Sequence, residues 1–245
     1  MKAAILGATR GMGRALARRM AARGDRLFLL GRDSEALARS ARDLEARGAA
    51  APVSWAHCDL LEPEGFEDAL DAADRALGDF DALIVSAALF ATQEELEADP
   101  KRRAALLVAN FANTVQLCEL TRARLLARGG GTLCVFSSVA GDRARKPVVL
   151  YGAAKAGLSA YLEGLDHRFR SQGLRTVTVK PGFVRTSMTE GLAAPPFAGD
   201  PDSVAARVLR AIDRGDPVVY APPIWRAVMA LVKRLPRALM RRASF

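Results

Sequence analysis

The sequence is poor in the residues that build disulfide frameworks, metal sites and membrane spans. Its 245 residues include three cysteines and two histidines. Cys58, Cys118 and Cys134 lie far apart without metal-ligand spacing, so we expect neither a disulfide framework nor a bound metal. His57 and His167 share no motif, and we expect structural roles for both. No apolar run reaches the roughly 18 residues of a transmembrane helix, and the N-terminal apolar run is too short for a signal peptide, which predicts a cytoplasmic protein.

Acidic residues are missing from the end of the chain. The formal net charge is +9, and six basic residues lie between positions 224 and 245, where no acidic residue occurs. The preceding part of the chain therefore carries only +3. A basic excess confined to one end argues against a nucleic-acid-binding domain, and we expect no nucleic-acid partner.

Short apolar runs alternate with longer helical patterns, without an internal repeat or a long polar linker. Seven runs predict strands: residues 2–6, 27–30, 53–57, 83–86, 133–137, 176–180 and 218–221. Six segments between them predict helices: residues 11–23, 34–47, 63–77, 102–128, 152–172 and 202–214. This alternation predicts an α/β fold: a single Rossmann-type, doubly wound parallel sheet with helices on both faces.

Three further expectations concern the organisation of the chain. We divide it into a domain of residues 1–222, which holds the predicted sheet and site, and a C-terminal extension of residues 223–245. Residues 183–200 show no helical pattern and are predicted to form a lid or a disordered loop. Trp55, inside a predicted strand, is expected in the core.

Three closely spaced glycines follow the first predicted strand and open the first helix. Glycine there permits a tight turn and lets the backbone approach a pyrophosphate, which the helix N-terminus then binds. The alternative is a glycine-rich turn without a ligand; the position after the first strand favours the dinucleotide. The candidate phosphate-binding residues are Gly7, Thr9, Arg10, Gly11, Met12 and Gly13.

The end of the second predicted strand lacks the acidic residue that binds the ribose 2′-hydroxyl in NAD sites. Gly31 stands at that position and Arg32 follows it, while Arg10 in the glycine loop offers a second guanidinium. Both arginines favour NADPH over NADH, because an arginine binds the 2′-phosphate. The alternative is that Arg32 is merely solvated. Asp33 is predicted to cap the second helix.

A serine, a tyrosine and a lysine occur at a spacing that favours catalysis. Ser138 follows the fifth predicted strand, at the carboxyl edge of the sheet where ligands bind. Tyr151 and Lys155 are four residues apart and share one face of a helix. A neighbouring ammonium is expected to lower the tyrosine pKa from its usual value of about 10. The alternative for the pair alone is a buried tyrosine beside a surface lysine.

With these motifs, residues 1–222 resemble the short-chain dehydrogenase/reductase superfamily. The resemblance implies that Tyr151 protonates a carbonyl oxygen, that Ser138 polarises this oxygen, and that Lys155 lowers the tyrosine pKa and binds the nicotinamide ribose. It also implies that Asn110, in the long central helix, holds a water of the proton relay.

The same resemblance implies further cofactor contacts. Asp59 and Leu60, after the third strand, would contact adenine, and residues 181–186 (Pro-Gly-Phe-Val-Arg-Thr) would contact the nicotinamide. The implied residues are Asp59, Leu60, Ala87, Pro181, Gly182, Val184 and Thr186, together with Tyr151 and Lys155.

The sequence departs from the superfamily pattern in two places. The usual Asn-Asn-Ala-Gly after the fourth strand is replaced by Val85-Ser86-Ala87-Ala88, and Leu6 replaces the threonine before the first glycine. Ser86 can take over part of the missing hydrogen bonding. Neither change touches the catalytic residues, so we still expect an active enzyme.

The second half has a more specific resemblance. Residues 137–158, 180–188 and 219–226, with the basic tail after them, are similar to the polyprenyl-phosphoryl (decaprenylphosphoryl) 2-keto-ribose reductases, which make a cell-wall sugar donor. This resemblance implies an NADPH-dependent carbonyl reductase acting on a lipid-linked 2-keto-sugar. Two alternatives stay open: a reductase of a small soluble ketone, and a non-catalytic NADP-binding regulatory module.

Apolar residues recur at spacings of three and four between residues 224 and 242, which predicts an amphipathic helix that Pro236 interrupts. Such a basic helix binds an anionic membrane surface, here the inner face of the membrane, or packs on the core or on another subunit of a homo-oligomer. Arg143, Arg145 and Lys146, between the catalytic serine and tyrosine, bind a substrate phosphate or merely solvate a loop.

Overall fold

A computed structural model describes residues 1–191, 193–195 and 197–242. In this part of the chain seven parallel strands form one sheet, in the order β3-β2-β1-β4-β5-β6-β7. The strands are β1 (Lys2–Leu6), β2 (Arg26–Gly31), β3 (Ser54–His57), β4 (Ala82–Val85), β5 (Gly131–Phe136), β6 (Leu174–Pro181) and β7 (Val218–Ala221). The strand order reverses at β1, which lies between β2 and β4.

Helices cover both faces of this sheet. They are α1 (Gly11–Ala22), α2 (Ser34–Ala46), α3 (Phe66–Leu77), α4 (Gln93–Ala98), α5 (Pro100–Leu107), α6 (Asn113–Ala127), α7 (Val149–Phe169), α8 (Pro201–Arg214), α9 (Ile224–Val232) and α10 (Arg237–Arg242). One core lies under α1, α2 and α8, and a second core lies under α3, α6 and α7. Successive residues of β1 alternate between the two cores, which explains why the central strands are apolar at every position. The doubly wound α/β prediction is confirmed.

Capping residues define the helix boundaries as predicted. The Asp33 carboxylate accepts a hydrogen bond from the Ala36 amide at 2.9 Å at the start of α2. Asp200 caps α8 in the same way, through the amides of Asp202 and Ser203. Gly24 and Gly48 follow α1 and α2 with positive φ angles of 81° and 100°, a conformation that favours glycine.

The central helix departs from its prediction. Residues 102–128 do not form one regular helix: α5 and α6 are joined by a π-helical turn, Val108–Ala112. A helix before it, α4, is absent from the prediction because its six residues, Gln-Glu-Glu-Leu-Glu-Ala, have too little apolar periodicity. A capping box starts α4, in which Thr92 Oγ1 accepts from the Glu95 amide and the Thr92 amide donates to the Glu95 carboxylate.

The core prediction for Trp55 is wrong. Its side chain is 39% exposed, because β3 is the outermost strand on its side of the sheet and leaves most of its residues near the surface. His57, on the same strand, lies 3.0 Å from the Glu62 carboxylate through Nε2. This contact agrees with the structural role expected for that histidine.

The segment 183–200 is anchored at both of its ends. Val184 forms a parallel bridge with Gly199, whose amide donates to the Phe183 carbonyl at 2.8 Å. A single 3₁₀ turn, Ser187–Thr189, follows the first anchor. The prediction of a lid or a disordered loop also covers Leu192 and Pro196, which lie outside the described residues.

The C-terminal segment packs part of its apolar surface on the core. Met229 and Val232 of α9 are buried against Val139, next to the half-buried Tyr220. The helical pattern breaks before α10, at Pro236, as predicted. No helix in the described ranges has the length and apolar character to cross a bilayer. Residues 243–245 lie outside the described part, and the boundary at residue 222 stays a prediction.

Candidate active site

The glycine loop closes tightly on the segment after β4. A Cβ atom on Gly7, whose φ is 96°, would lie 2.6 Å from the Ala87 amide nitrogen. A Cβ atom on Gly13 would lie 2.2 Å from Ser86 Oγ and 2.3 Å from the Gly7 carbonyl oxygen. Backbone and hydroxyl therefore occupy the space that any other side chain would need, and both positions require glycine.

Ser86 holds this arrangement together. Its hydroxyl lies 3.1 Å from the carbonyl oxygens of both Leu6 and Gly7. The serine that departs from the superfamily pattern thus bonds the glycine loop directly, as expected. The segment after β4 keeps its contact with β1 without the usual asparagines, since the Ser86 and Ala87 amides also donate to the Leu6 carbonyl.

The N-terminus of α1 suits an anion. The helix has no side-chain cap at Arg10 and no acidic residue in its first turn. Its first amides therefore have no capping acceptor on the protein, and the helix dipole favours negative charge there. Together with the two glycine cradles, this end of α1 fits a pyrophosphate group.

A cleft of about 590 Å³ extends from the glycine loop along the carboxyl edge of the sheet. Phe90 and Met188 also border it. The structure places eleven of the predicted cofactor residues around it: Gly7, Thr9, Arg10, Gly11, Met12, Gly13, Arg32, Asp59, Leu60, Ala87 and Thr186. Five others lie outside this lining: Tyr151 and Lys155, which are described below, and Pro181, Gly182 and Val184. Pro181 ends β6, Val184 is buried at the bridge, and Gly182 packs against Trp225, so that their cofactor contacts stay predictions.

Two arginines stand at the end of the cleft where an adenosine ribose would lie in this fold. Arg10 and Arg32 are exposed, and in the described ranges neither forms an ion pair. Two carboxylates line this cleft: Asp33 caps α2, and Asp59 accepts from the Leu61 amide. Two guanidinium groups without an ion-pair partner in the described ranges fit a 2′-phosphate.

The loop after β3 is fixed by a residue that sequence reasoning missed. Asp59 accepts from the Leu61 amide at 2.9 Å, which shapes the turn around Leu60. The buried Asn113 donates its side-chain amide to the Leu60 carbonyl at 2.8 Å. No local pattern marks Asn113 for this role, because the contact joins positions far apart in the chain.

Lys155 is buried at the carboxyl edge of the sheet. Its side chain is 2% exposed, and Nζ donates to the carbonyl of Phe136, the last residue of β5, at 2.8 Å. The same ammonium lies 5.8 Å from the centre of the Tyr151 ring. Burial lowers the pKa of Lys155 from 10.5 to about 8, since no carboxylate in the described residues pairs with it.

Tyr151 meets Ser138 as the spacing predicted, but its pKa moves in the other direction. Burial raises the pKa of Tyr151 to about 12, and a hydrogen bond with Ser138 opposes this shift only in part. The expected lowering by Lys155 is therefore wrong for the protein alone, because desolvation of the phenolate dominates. At neutral pH the tyrosine holds its proton.

An aromatic contact of Tyr151 was also missed from the sequence. The ring of Phe90 meets it edge to face, with centroids 5.3 Å apart and an interplanar angle of 81°. Phe90 lies in the segment after β4, so the same segment contacts both the glycine loop and the tyrosine. This contact orients the tyrosine ring.

Asn110 fixes that segment from the π-helical turn. Its side-chain oxygen accepts from the Leu89 amide and its side-chain nitrogen donates to the Leu89 carbonyl, both at 2.7 Å. The Asn110 side chain thus bonds both backbone groups of the residue next to Phe90. A water held by Asn110 in a proton relay stays a prediction.

The loop between Ser138 and Tyr151 is tied to the far strands and to the tail. The buried Asp142 carboxylate accepts from Lys180 Nζ at 2.6 Å and from the Tyr220 hydroxyl at 2.7 Å. Arg143 donates to the Leu235 carbonyl, in the connection between α9 and α10, at 2.8 Å. Together these bonds fix the loop that follows Ser138.

Two buried hydrogen-bond donors near this loop have no partner within the described protein: Arg145 Nε and Trp225 Nε1. Burial also lowers the pKa of Arg145. Trp225 packs so closely on Gly182 that a Cβ there would lie 2.0 Å from the indole nitrogen. Buried donors are normally satisfied, and an acceptor bound at this place would satisfy both.

The geometry of the site agrees with the family to which the sequence is similar. The family model described as short chain dehydrogenase matches residues 1–196. The chain belongs to this family. It is an NAD(P)-dependent oxidoreductase.

Curated relatives and solved structures agree with this assignment. An uncharacterized oxidoreductase of Streptomyces coelicolor is 37% identical over 97% of this chain and 94% of its own, and one of Mycobacterium tuberculosis is 34% identical over 97% and 95%. The structure of an actinorhodin polyketide ketoreductase with NADPH has a TM-score of 0.80, at 21% identity, over 89% of this chain and 95% of its own. At that identity the structure shows the shared fold.

We predict that Lys155→Met changes stability in a pH-dependent way. The pKa of Lys155 is lower in the folded protein than in the unfolded chain, so its burial costs stability below pH 8 and this cost disappears as the pH rises toward 10.5. Between pH 7 and pH 10 the wild type should gain roughly 2 to 3 kcal/mol relative to the variant, measured by urea unfolding. Loss of the hydrogen bond to Phe136 lowers the stability of the variant at both pH values.

The exposed Lys101→Met is the matched control for this experiment. If the stability difference for Lys155→Met is the same at both pH values, the ammonium is not desolvated in the folded protein.

Proposed function

We propose that this protein is an NADPH-dependent carbonyl reductase. The observation that carries the proposal is that Tyr151 stands beside Ser138 and beside the buried ammonium of Lys155, at the carboxyl edge of the sheet. A curated relative supports the reaction class: a protein of Xenopus tropicalis named carbonyl reductase family member 4 is 28% identical over 84% of this chain and 88% of its own.

Residues around the cleft would hold the cofactor. The glycine loop and the start of α1 would bind the pyrophosphate, Arg10 and Arg32 the 2′-phosphate, and Lys155 the ribose next to the nicotinamide. When bound, the nicotinamide supplies the hydride that reduces the carbonyl carbon.

The protein's own groups handle the proton. Ser138 donates a hydrogen bond to the substrate oxygen and Tyr151 gives it the phenolic proton as negative charge develops there. The raised pKa of Tyr151 keeps this proton in place until it is needed. Lys155, whose pKa of about 8 leaves it charged at neutral pH, then stabilises the phenolate that remains. These protonation states favour reduction of the carbonyl.

Tyr151→Phe tests the assignment directly. Loss of the phenolic proton should lower kcat for ketone reduction by roughly 10²- to 10⁴-fold, while the Kd for NADPH stays within a few fold. NADPH oxidation over a ketone panel measures the first quantity and fluorescence titration the second. Tyr161→Phe, on the same helix, is the control because its hydroxyl bonds to Glu119 away from the site.

Retained turnover in Tyr151→Phe would reject the catalytic role of the tyrosine. A wild type that binds NADPH but reduces nothing in a broad panel would favour the alternative of a regulatory NADP-binding module.

Arg32→Asp tests the cofactor preference. An acidic residue after β2 repels the 2′-phosphate and accepts from a 2′-hydroxyl, so KM for NADPH should rise by at least roughly tenfold while KM for NADH stays equal or falls. Arg39→Asp, an equal charge change further along α2, should leave both constants unchanged. An equal loss for both cofactors would contradict the 2′-phosphate role.

For the substrate, we infer a polar carbonyl compound that carries an anionic group, such as the lipid-linked 2-keto-sugar that the sequence resemblance implies. The unsatisfied donors of Arg145 and Trp225 support this class, because a small apolar ketone offers them no acceptor. Arg145 lies in the loop between Ser138 and Tyr151, and we infer that it contacts a group attached to the reacting carbonyl.

Arg145→Gln should therefore raise KM for a polyprenyl-phosphoryl 2-keto-ribose by roughly tenfold or more, and leave KM for a neutral ketone nearly unchanged. Lys146→Gln, a neighbouring exposed cation, is the control. Turnover of small neutral ketones alone, insensitive to Arg145, would favour the soluble-ketone alternative.

A further inference from the structure

A second groove lies away from the cleft, along the outermost strand β7. Its volume is about 600 Å³, and it runs between α8 and α9. We call it the β7 groove. Five cations line it, Arg207, Arg210 and Arg214 from α8, Arg226 from α9 and Lys233 directly after α9, against one acidic residue, Asp216.

These cations have no carboxylate partner in the part of the chain that the structure describes. Several arginines elsewhere are paired with carboxylates, as Arg18 is with Asp43 or Arg128 with Asp74. Within the described residues none of the five groove cations forms an ion pair, and Arg207 makes one hydrogen bond, to the Tyr220 carbonyl. Like charges gathered without counter-ions repel one another, and an anionic ligand relieves this repulsion.

The groove wall continues into a surface that is both basic and apolar. Four more cations of the tail, at positions 234, 237, 241 and 242, are exposed. Among them stand large apolar side chains that the protein leaves in solvent: Leu231 is 66% exposed, Leu239 52% and Ile224 43%. Met229 and Val232 anchor α9 to the core, so this surface is held in place.

We propose that the β7 groove and the exposed side of α9 and α10 bind the surface of a membrane rich in anionic phospholipids. Lipid phosphates would occupy the groove, and Leu231 and Leu239 would enter the boundary between headgroups and acyl chains. The exposed leucines favour a lipid surface over a free phosphate or a nucleic acid, because neither of these offers an apolar layer. This proposal goes beyond the reductase activity and does not depend on it.

The groove also adjoins the site. Arg207 bonds the Tyr220 carbonyl, and the Tyr220 hydroxyl bonds Asp142 in the loop after the catalytic serine. The connection between α9 and α10 bonds Arg143 of the same loop. A docked membrane would therefore lie beside the loop that leads to Tyr151.

Vesicle co-sedimentation of the full chain tests the proposal. The wild type should bind phosphatidylcholine vesicles that contain phosphatidylglycerol, and should not bind pure phosphatidylcholine. The triple variant Arg210→Gln/Arg214→Gln/Arg226→Gln should bind at least roughly tenfold more weakly, since each cation near an anionic surface contributes about fivefold. All three side chains are exposed, and none makes a hydrogen bond in the described structure.

Two further variants make the test specific. Arg39→Gln/Arg42→Gln/Arg75→Gln removes the same charge from exposed positions on α2 and α3, at the other edge of the sheet, and should change binding less than threefold. Leu231→Ser/Leu239→Ser should weaken vesicle binding at least roughly fivefold while leaving titration with inorganic pyrophosphate unaffected.

Equal losses in the two arginine triples would overturn the proposal, because net charge and not the groove would then govern binding. So would groove-dependent binding of pyrophosphate or duplex DNA at the same ionic strength without binding to the anionic vesicles.

Discussion

The contact between the glycine loop and the segment after β4 is the constraint on which the site depends. It exists because β1 lies between β2 and β4, so that the loops leaving β1 and β4 emerge side by side at the point where the strand order reverses. Gly7 and Gly13 leave no room for side chains there, and Ser86 bonds the two loops together. The start of α1 is aimed into the cleft because this contact holds it there. The serine also shows that one hydroxyl can replace the usual asparagines where the backbones already meet.

The catalytic side of the sheet is organised by a second constraint, the burial of an ammonium without a carboxylate. Lys155 donates to one backbone acceptor, the Phe136 carbonyl. Such a charge is unfavourable for the isolated fold, and it is retained where a ligand supplies the missing partners. The ring of Phe90 contacts Tyr151, and Asn110 holds the segment that carries Phe90. Stability and chemistry thus place opposite demands on the same position.

Much of this architecture could be predicted from local patterns. The strands, the caps at Asp33 and Asp200, and the serine, tyrosine and lysine spacing are written in short stretches of sequence. Contacts between distant segments could not be predicted in this way: Asn113 at the Leu60 carbonyl and Phe90 on Tyr151 depend on how separate loops meet. The prediction that Trp55 is buried was wrong because the edge position of β3 is set by the strand order of the whole sheet. The predicted direction of the Tyr151 pKa shift was wrong because the neighbouring charge can be read from the sequence, whereas the desolvation of the phenolate depends on tertiary burial.

The bond between Arg143 and the Leu235 carbonyl has a consequence for how the C-terminal segment can be studied. A shortened chain that ends before α9 would lose this acceptor and would also uncover Val139, one residue after the catalytic serine. The new apolar surface would begin next to Ser138, so deletion would change the surroundings of the site as well as remove the tail. The contribution of the last helices is therefore better measured through substitutions on their outer side.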